Sequence, residues 1–282
     1  MCGIVGFLGE HKDAKSIIEN MTNALIHRGP DEQGIYSKGM AHLGHTRLSV
    51  IDLAAGAQPL ENEDGTIWTV FNGEIYNYKE LRAELLALGH IFKTNTDTEV
   101  IIHGYEEYGE NIVNRLRGMF AFAIWSEKEN RLFVTRDPFG IKPFYYSLTD
   151  KFFVFASELK AIMKFDGVSK EIDLESIALF LERQFIPSPR TIYKDIKKLR
   201  PGYAAILKFD NGVKLLKEYQ YCKIDYSEKF ALGENELIQT VENSLIDSVK
   251  SMLVSDVPLG VFLSGGIDSS LIAALTAKEL PN

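Results

Sequence analysis

The first seven residues, which read MCGIVGF, place a thiol directly behind the initiator methionine. Ile4, Val5 and Phe7 predict a short buried strand, and the two glycines let another backbone approach it closely. Such a strand would hold Cys2 still. Removal of Met1 would give Cys2 a free α-amine, whose reference pKa of about 7.7–8.0 lets part of it act as a base at neutral pH. The alternative, that a cysteine stands second by chance, stays open on this stretch alone.

Length and composition are typical of a soluble globular protein and argue against several classes of function. The chain has 282 residues, which predicts two domains, and 45% of them are apolar while 25% are charged. The net charge of −8 argues against broad binding to nucleic acid or to an anionic membrane. No apolar run could span a bilayer, and the pattern of a secretory signal is missing. Cys2 and Cys222 are the only cysteines, so no disulfide framework and a cytoplasmic location are expected.

Apolar spacing predicts the secondary structure of the first 160 residues. A helical period over residues 14–26 stops at Gly29-Pro30, a second helix covers residues 81–88, and a third begins at Asp97. The predicted strands are Gly34–Tyr36, Leu43–Ile51, Ile67–Phe71, Met119–Trp125, Arg131–Thr135, Phe144–Tyr146 and Phe152–Ala156. Helices that stand between groups of strands indicate sheets covered by helices rather than a regular βα alternation.

The pattern changes after a short predicted helix at residues 158–163. Another helix is predicted over Leu174–Leu181. The alternation in Tyr203–Phe209 and Val213–Tyr219 predicts a hairpin with a turn at Asp-Asn-Gly. This hairpin is expected to close the first domain.

A polar segment without strong periodicity, residues 222–235, is predicted to link two domains at 2–221 and 236–282. Apolar residues in the second domain predict a long amphipathic helix at 237–252. A buried strand, Val257–Leu263, and a final helix are predicted to follow.

Polar side chains interrupt this apolar pattern at three places and are candidates for a binding site. Arg47 lies in a predicted strand, where its planar guanidinium needs an anionic partner, either a ligand or a structural ion pair. Asn72 and Gly73 follow a strand, where an amide and a backbone N–H could stabilise an oxyanion or form a plain turn. Asp97 stands at a helix start, where helix capping is the alternative. The six histidines show no metal-ligand spacing, so no metal site is predicted.

Together, these stretches resemble the class II glutamine amidotransferases, which use an N-terminal nucleophile. The matching stretches are MCGIVGF at 1–7, HRGPD at 27–31, FNGE at 71–74, TDTE at 96–99, RDPFGIKP at 136–143 and FASE at 155–158. Two more, HTRLSVID at 45–52 and FIPSPRTIY at 185–193, are similar to glutamine-hydrolysing asparagine synthetases rather than to the glucosamine-6-phosphate synthase branch. The resemblance covers essentially the whole chain.

The resemblance implies a fold and a role for each matching residue. For about residues 2–210 it implies an α+β fold, a four-layer αββα sandwich. Cys2 would attack the glutamine side-chain amide with its own amine as the base, and Asn72 and Gly73 would hold the oxyanion. Arg47 would bind the substrate α-carboxylate and Asp97 the α-ammonium. The other implied pocket residues are Leu48, Val50, Ile51 and Glu74, and Met119 aligns near the family's ammonia channel.

A separate motif, SGGIDSS at 264–270, follows the predicted strand and opens a helix, where backbone N–H groups and the helix dipole bind phosphate. It lacks the Gly-Lys-Ser/Thr of a Walker loop, and a flexible Gly-Gly loop is the alternative. The motif resembles the PP-loop of the α/β ATP pyrophosphatases, which grips the pyrophosphate of ATP during adenylation. The residues that would bind the nucleotide are Leu263, Ser264, Gly265, Gly266, Asp268 and Ser269.

The resemblance implies hydrolysis of L-glutamine to glutamate and ammonia, and ATP-dependent amidation of aspartate to asparagine. ATP with Mg²⁺ is implied for the complete synthetase and no cofactor for the glutaminase step. Amidation of another carboxylate, such as a sugar acid in surface-polysaccharide synthesis, stays open, as do a regulatory module without catalysis and a homodimer. A nucleotide domain needs about five or six parallel strands. Because only one is predicted after Tyr221, the chain is expected either to be a fragment or to pair with another polypeptide, and by itself to release glutamate without making asparagine.

Overall fold

The structure is a computed structural model that describes residues 1–227 and 229–280. The chain forms two compact units, Met1–Lys223 and a second that begins at Ile224. The strands are β1 (Gly3–Leu8), β2 (Glu32–Lys38), β3 (Ala41–Arg47), β4 (Leu60–Glu61), β5 (Ile67–Ile75), β6 (Gly118–Ser126), β7 (Arg131–Arg136), β8 (Tyr145–Leu148), β9 (Phe153–Ala156), β10 (Lys197–Lys198), β11 (Tyr203–Phe209) and β12 (Val213–Gln220). The helices are α1 (Ala14–Asn23), α2 (Tyr78–Ala87), α3 (Asp97–Tyr108), α4 (Leu159–Ile162), α5 (Leu174–Arg183), α6 (Glu234–Met252) and α7 (Ile267–Glu279), with a 3₁₀ helix at Gly109–Asn114.

Two antiparallel sheets form the centre of the first unit. The first sheet has the strand order β10-β8-β9-β1-β3-β2, and the second has the order β12-β11-β7-β6-β5-β4. β1 lies inside the first sheet, where Gly3 pairs with Thr46 of β3 and Val5 pairs with Ala156 of β9. The N-terminal strand is therefore held on both sides, which opposes the fraying that is usual at a chain terminus.

Alternate residues of β1 reach two different apolar layers. Ile4 and Leu8 pack in the core between the two sheets, together with residues such as Val134 of the second sheet. Val5 and Phe7 pack on the opposite face, among side chains of α1 and α4. A strand that is buried on both faces needs apolar residues or glycine at nearly every position, which explains the composition of this stretch.

Helices cover the outer faces of both sheets. Ile18 and Met21 of α1 and Ile162 of α4 belong to the apolar layer on the first sheet. On the second sheet, the ring of Tyr105 in α3 stacks on Phe133 of β7 with ring centroids 5.6 Å apart. The resulting order of helix, sheet, sheet and helix confirms the predicted αββα sandwich.

Most predicted elements of the first unit occur within a few residues of their predicted bounds. The strand predicted at Leu43–Ile51 ends earlier, at Arg47, because the following residues leave the sheet and form a loop. The sequence pattern does not predict β4, β10 or the 3₁₀ helix, since two-residue strands carry no periodic signal.

The second unit contains both predicted helices, α6 and α7, and α6 begins inside the segment predicted as a linker. The prediction of a buried strand at Val257–Leu263 is wrong. These residues have no strand conformation, and Phe262 is 100% exposed. A strand exists only where another backbone pairs with it, and residues 224–227 and 229–280 contain no second strand. In the part of the chain that is described, no helix combines the length and apolar character needed to cross a membrane.

Candidate active site

Side chains from two distant segments fix the backbone at Cys2. Arg28, in the HRGPD stretch, donates from Nε to the Cys2 carbonyl at 2.9 Å and pairs through Nη1 with Glu158 at 2.9 Å. Ser157 Oγ accepts the Ile4 N–H at 3.0 Å, and the Ser157 N–H donates to the Ile4 carbonyl at 2.8 Å. The HRGPD and FASE stretches therefore hold the start of β1 in place.

The Cys2 thiol lies against the loop that follows β3. The Leu48 N–H donates to Sγ at 3.5 Å, and Sγ is 3.7 Å from the Leu48 carbonyl oxygen. Burial raises the pKa of the Cys2 thiol, so a base must remove its proton before it can act as a nucleophile. Cys2 follows Met1 in this structure, so its own nitrogen is an amide and cannot be that base.

Asn72 lies within β5 opposite Ala121 of β6, which excludes the plain turn considered for it. Its side chain is buried, and neither Nδ2 nor Oδ1 has a hydrogen-bond partner among the described residues. The preceding residue is held firmly: the Phe71 N–H donates to Gln58 Oε1 at 2.7 Å, and the Phe71 carbonyl is 3.0 Å from His45 Nε2. Buried amides are normally paired, so an unpartnered amide on a fixed strand indicates a position where a ligand supplies the missing partner.

Gly73 is required by the close approach of the neighbouring strand. A Cβ atom added there would lie 2.1 Å from the Met119 carbonyl oxygen in β6. Met119 itself pairs with Glu74 in this register. Any other residue at position 73 would therefore displace the strand that carries Asn72.

Arg47 ends β3 and is only 4% exposed. Its Nη1 pairs with Glu32 Oε2 at 2.8 Å, and its Nη2 donates to the carbonyls of Ile51 at 3.2 Å and Asp52 at 2.6 Å. The anionic partner that a buried guanidinium needs is thus supplied, at least in part, by Glu32 of the same chain. These contacts also fix the guanidinium and organise the loop after β3.

Two carboxylates, a buried one on Asp97 and a partly buried one on Glu74, lie at the junction of α3 and β5. Asp97 follows the N-cap residue Thr96 and accepts the Ile75 N–H through Oδ2 at 2.9 Å, so it links the helix to the strand. Burial raises the pKa of Asp97, and burial together with the Asp97 charge raises the pKa of Glu74. Two acidic groups in a poorly hydrated site favour a bound cation.

Lys142, in the RDPFGIKP stretch, is a buried lysine to which the sequence analysis assigns no role. Burial lowers the pKa of its ammonium, while the charges of Glu74 and Cys2 raise it. Asp137 accepts the Lys142 N–H at 2.9 Å and thereby shapes the loop. The signal that could have identified it is the lysine itself, since lysine is rarely buried without a reason.

One cleft brings most of the predicted pocket residues together. Those that line it are Cys2, Arg47, Leu48, Val50, Ile51, Gly73, Glu74 and Asp97. The lining residues that the sequence analysis misses are Gly56, Gln58, Phe71, Thr96 and Thr98. The two threonines flank Asp97 in the TDTE stretch and could have been inferred with it, whereas no local pattern marks Gly56 or Gln58. Asn72 itself does not line the cleft, although its neighbours Phe71 and Gly73 do.

The SGGIDSS stretch forms a loop that leads into α7 of the second unit. The residues predicted to bind the nucleotide lie in this loop or in the first turn of α7: Leu263, Ser264, Gly265, Gly266, Asp268 and Ser269. Gly265 has a φ of +84°, which favours glycine, and Gly266 is the N-cap of α7, without a side-chain capping bond. The hydroxyls of Ser264 and Ser269 are 3.0 Å apart. The first N–H groups of α7 are therefore suited to an anionic ligand.

The chain matches two family models. The model described as glutamine amidotransferase domain matches residues 1–220, and the model described as asparagine synthase matches residues 240–282. The chain is 42% identical to asparagine synthetase (glutamine-hydrolyzing) 1 of Bacillus subtilis (strain 168), over 99% of this chain and 44% of that protein. It is 38% identical to asparagine synthetase (glutamine-hydrolyzing) 3 of the same strain, over 98% of this chain and 45% of that protein. The chain thus spans about half the length of these relatives.

A solved structure of glutamine phosphoribosylpyrophosphate amidotransferase from B. subtilis, complexed with ADP and GMP, has a similar fold. The TM-score is 0.59 at 19% identity, over 98% of this chain and 64% of that chain. At this identity the similarity concerns the fold alone. The family matches confirm the resemblance to glutamine-hydrolysing asparagine synthetases that the sequence motifs predict.

The buried carboxyl of Asp97 should make stability depend on pH. Its pKa is raised in the folded chain, so the folded state binds more protons than the unfolded state and loses stability as pH rises above the ordinary carboxyl pKa of about 4. Asp97→Asn should therefore gain stability relative to the parent chain between pH 5 and pH 8, as measured by urea unfolding. Exposed Asp166→Asn is the control, and an equal pH dependence in Asp97→Asn and the parent would contradict the prediction.

Proposed function

The chain belongs to the glutamine amidotransferase domain family, and from this premise we propose that its first unit hydrolyses L-glutamine to glutamate and ammonia. One observation carries the proposal: the thiol of Cys2 lines a cleft that also contains a guanidinium and two carboxylates, one buried and one half-buried, beside the unpartnered amide of Asn72. This set of groups matches the chemistry of glutamine, which has a carboxylate and an ammonium at one end and an amide at the other.

Cys2 is the proposed nucleophile, and its own α-amine is the proposed base. Removal of Met1 converts the Cys2 amide nitrogen into an amine of about pKa 7.7–8.0, which can accept the thiol proton. Arg28 holds the Cys2 carbonyl, and the Leu48 N–H contacts the sulfur, so both reacting groups of one residue are fixed. The chemistry therefore begins only after the methionine is lost.

Asn72 and Gly73 are the proposed oxyanion donors. When the thiolate attacks the side-chain amide carbon of glutamine, negative charge develops on the amide oxygen. A preorganised amide N–H and a backbone N–H stabilise such a charge without reorganising. The buried and unpartnered Nδ2 of Asn72, on a strand fixed through Phe71, has the required preorganisation.

The charged groups of the cleft are proposed to bind the amino-acid end of glutamine. Arg47 would bind the α-carboxylate, and Asp97, with Glu74 nearby, would bind the α-ammonium. The backbone from Leu48 to Ile51, including Val50, lines the cleft between these charges and the thiol. The ion pair of Arg47 with Glu32 positions the guanidinium and offsets part of its positive field, so part of the role of Arg47 is structural.

The proposed reaction has two balanced steps. The amine of Cys2 takes the thiol proton, sulfur bonds to the amide carbon, and the carbon–nitrogen bond breaks as the protonated amine returns its proton to the departing ammonia. Water then attacks the thioester with the amine as base, and the carbon–sulfur bond breaks to release glutamate and restore the thiol. The net change is glutamine plus water to glutamate plus ammonia.

Cys2→Ala should abolish glutamine hydrolysis, because it removes the atom that forms the thioester. The measurement is glutamate release by the purified chain, with an intact-mass spectrum to show that Met1 is absent. A Cys222→Ala variant controls for general thiol effects and should retain activity. Near-parental hydrolysis by Cys2→Ala, or full activity in a chain that retains Met1, would refute the proposal.

Arg47→Ala and Asp97→Asn should each lower kcat/KM by the equivalent of about 2–4 kcal/mol, since each leaves a buried substrate charge without its partner. Steady-state kinetics with glutamine measure this loss, and circular dichroism checks that the variants are folded. Arg131→Ala, a surface arginine on β7, is the matched control. If both pocket variants keep the parental kcat/KM while folded, the two residues are structural and glutamine binds elsewhere.

For the second unit we propose that the SGGIDSS loop binds the pyrophosphate of ATP. The N–H groups at the start of α7 and the hydroxyls of Ser264 and Ser269 fit a phosphate chain, and Asp268 in the first turn fits an associated Mg²⁺. ATP would activate a carboxylate by adenylation so that ammonia can displace AMP. We propose aspartate as the acceptor. We also propose that residues 2–221 form the glutaminase domain, residues 222–235 a linker, and residues 236–282 the start of the ATP-binding domain. A homodimer is compatible with this proposal.

The 282-residue chain should release glutamate without forming asparagine. The described residues of its second unit supply a phosphate loop but no parallel sheet at whose strand ends an acceptor could bind. The assay supplies glutamine, ATP, Mg²⁺ and aspartate and measures glutamate, asparagine and AMP. Production of both asparagine and AMP would contradict this prediction.

The alternative acceptor is tested separately, by replacing aspartate with sugar acids in an assay of a longer natural chain.

A further inference from the structure

Four metal-binding side chains meet at a place that the proposed glutaminase does not use. They are Glu63, between β4 and β5, His90, after α2, and His103 and Glu106, both on α3. One ligand atom from each lies within 4.8 Å of the other three. Three separate segments thus contribute ligand atoms to one small cluster, as a metal site requires.

The separations between these atoms suit a tetrahedral ion. His103 Nδ1 is 2.9 Å from Glu106 Oε2 and 3.6 Å from Glu63 Oε1, and His90 Nδ1 is 3.7 Å from Glu106 Oε2. A tetrahedral zinc ion with bonds of about 2.0–2.2 Å separates its ligand atoms by about 3.3–3.6 Å. Only small side-chain movements would convert this cluster into a coordination sphere.

The outer contacts of the four residues also match a metal site. His103 Nε2 is buried, lacks a hydrogen bond among the described residues, and lies 3.6 Å from Glu99 Oε1. His90 Nε2 is similarly 3.4 Å from Glu107 Oε2. Metal-bound histidines commonly direct their second nitrogen to a carboxylate, which fixes the ring for coordination.

The two carboxylate ligands are positioned in the same way. Glu106 accepts a hydrogen bond from Asn62 Nδ2 through Oε1 at 2.7 Å, which leaves Oε2 facing the histidines. Glu63 accepts the Ile91 N–H at 3.1 Å. Each carboxylate is therefore held by a contact outside the cluster, Glu106 through its second oxygen and Glu63 through the same Oε1 that faces His103.

We propose that Glu63, His90, His103 and Glu106 bind one divalent transition-metal ion, with zinc as the best match. Two imidazole nitrogens exclude a preference for Mg²⁺ or Ca²⁺, which take oxygen ligands. Zinc accepts mixed nitrogen and carboxylate ligands in a closed tetrahedral site. The ligands come from three separate segments, which is why the sequence spacing predicts no metal.

An ion-pair network without metal is the competing explanation. Burial alone would lower the pKa of His103, but the hydrogen bond to Glu106 and the nearby carboxylates of Glu99 and Glu63 raise it to about 9. A protonated His103 would then be the only cation needed at the centre. The two explanations differ in what happens when zinc is supplied, because a bound ion must displace that proton.

The test measures zinc binding by the full chain, in a Cys2→Ala background that removes the thiol of the cleft. Dialysis against zinc chloride followed by metal analysis should give about one zinc per chain. Competition with a chromophoric chelator should show at least about tenfold weaker binding for Glu63→Gln, which alters an exposed carboxylate, and for His90→Gln, which alters the more accessible of the two histidines. His11→Gln and Glu80→Gln are the matched histidine and glutamate controls and should bind as the parent does.

The experiment can overturn the proposal in either of two ways. Failure of the parent chain to retain zinc above the level of the control buffer would leave only the ion-pair network. Equal zinc affinity in the parent and in the Glu63→Gln, His90→Gln double variant would place the metal elsewhere. Circular dichroism of both variants separates loss of a ligand from loss of the fold, so the buried His103 need not be altered. Neither outcome bears on glutamine hydrolysis, since the cleft contains none of the four ligands.

Discussion

The hydrogen bond from Arg28 to the Cys2 carbonyl is the contact on which the proposed chemistry depends most. A residue next to a chain terminus is normally free to fray, and a nucleophile that moves cannot be aligned with a substrate. Here β1 is paired on both sides, Arg28 is fixed by Glu158, and Ser157 bonds both backbone groups of Ile4. The motifs at residues 27–31 and 155–158 therefore serve to immobilise the first residues of the chain.

The sandwich creates the cleft because it brings the end of β3 in the first sheet close to β5 in the second. His45 bridges the two sheets through the Phe71 carbonyl, and burial lowers its pKa to about 3, so the bridge is made by a neutral ring. The same closeness removes water from Asp97 and Glu74. Burying Asp97 and partly burying Glu74 destabilises the fold, and the sequence retains both at the point where a ligand ammonium would neutralise them.

Sequence reasoning succeeds where a local pattern determines the outcome and fails where a distant partner does. The apolar runs predict β1, β6, β7 and the first part of β5, because strands buried on both faces are mostly apolar, whereas the rest of β5 carries Asn72 and Glu74. Gln58 escapes prediction because its role is set by contacts with Phe71 and Thr98, and no local signal records these. Val257–Leu263 has the composition of a buried strand, yet it is not one in this chain, because no second strand is present among the described residues of that unit.

Helix α3 carries residues of both the cleft and the proposed metal site, and Glu99 lies between them in sequence. Glu99 accepts hydrogen bonds from the Lys93 and Thr94 N–H groups at 2.7 Å each, and it faces His103 on its other side. The loop before Asp97 is thus tied to the helix through the same carboxylate that would orient a metal ligand. A metal at His103 would strengthen this tie without touching glutamine, since rigid neighbours improve the positioning of a binding group that they do not contact. The proposed glutaminase chemistry would require only that Asp97 be held, which the Ile75 N–H already does, so the metal would add stability to the loop rather than a chemical step.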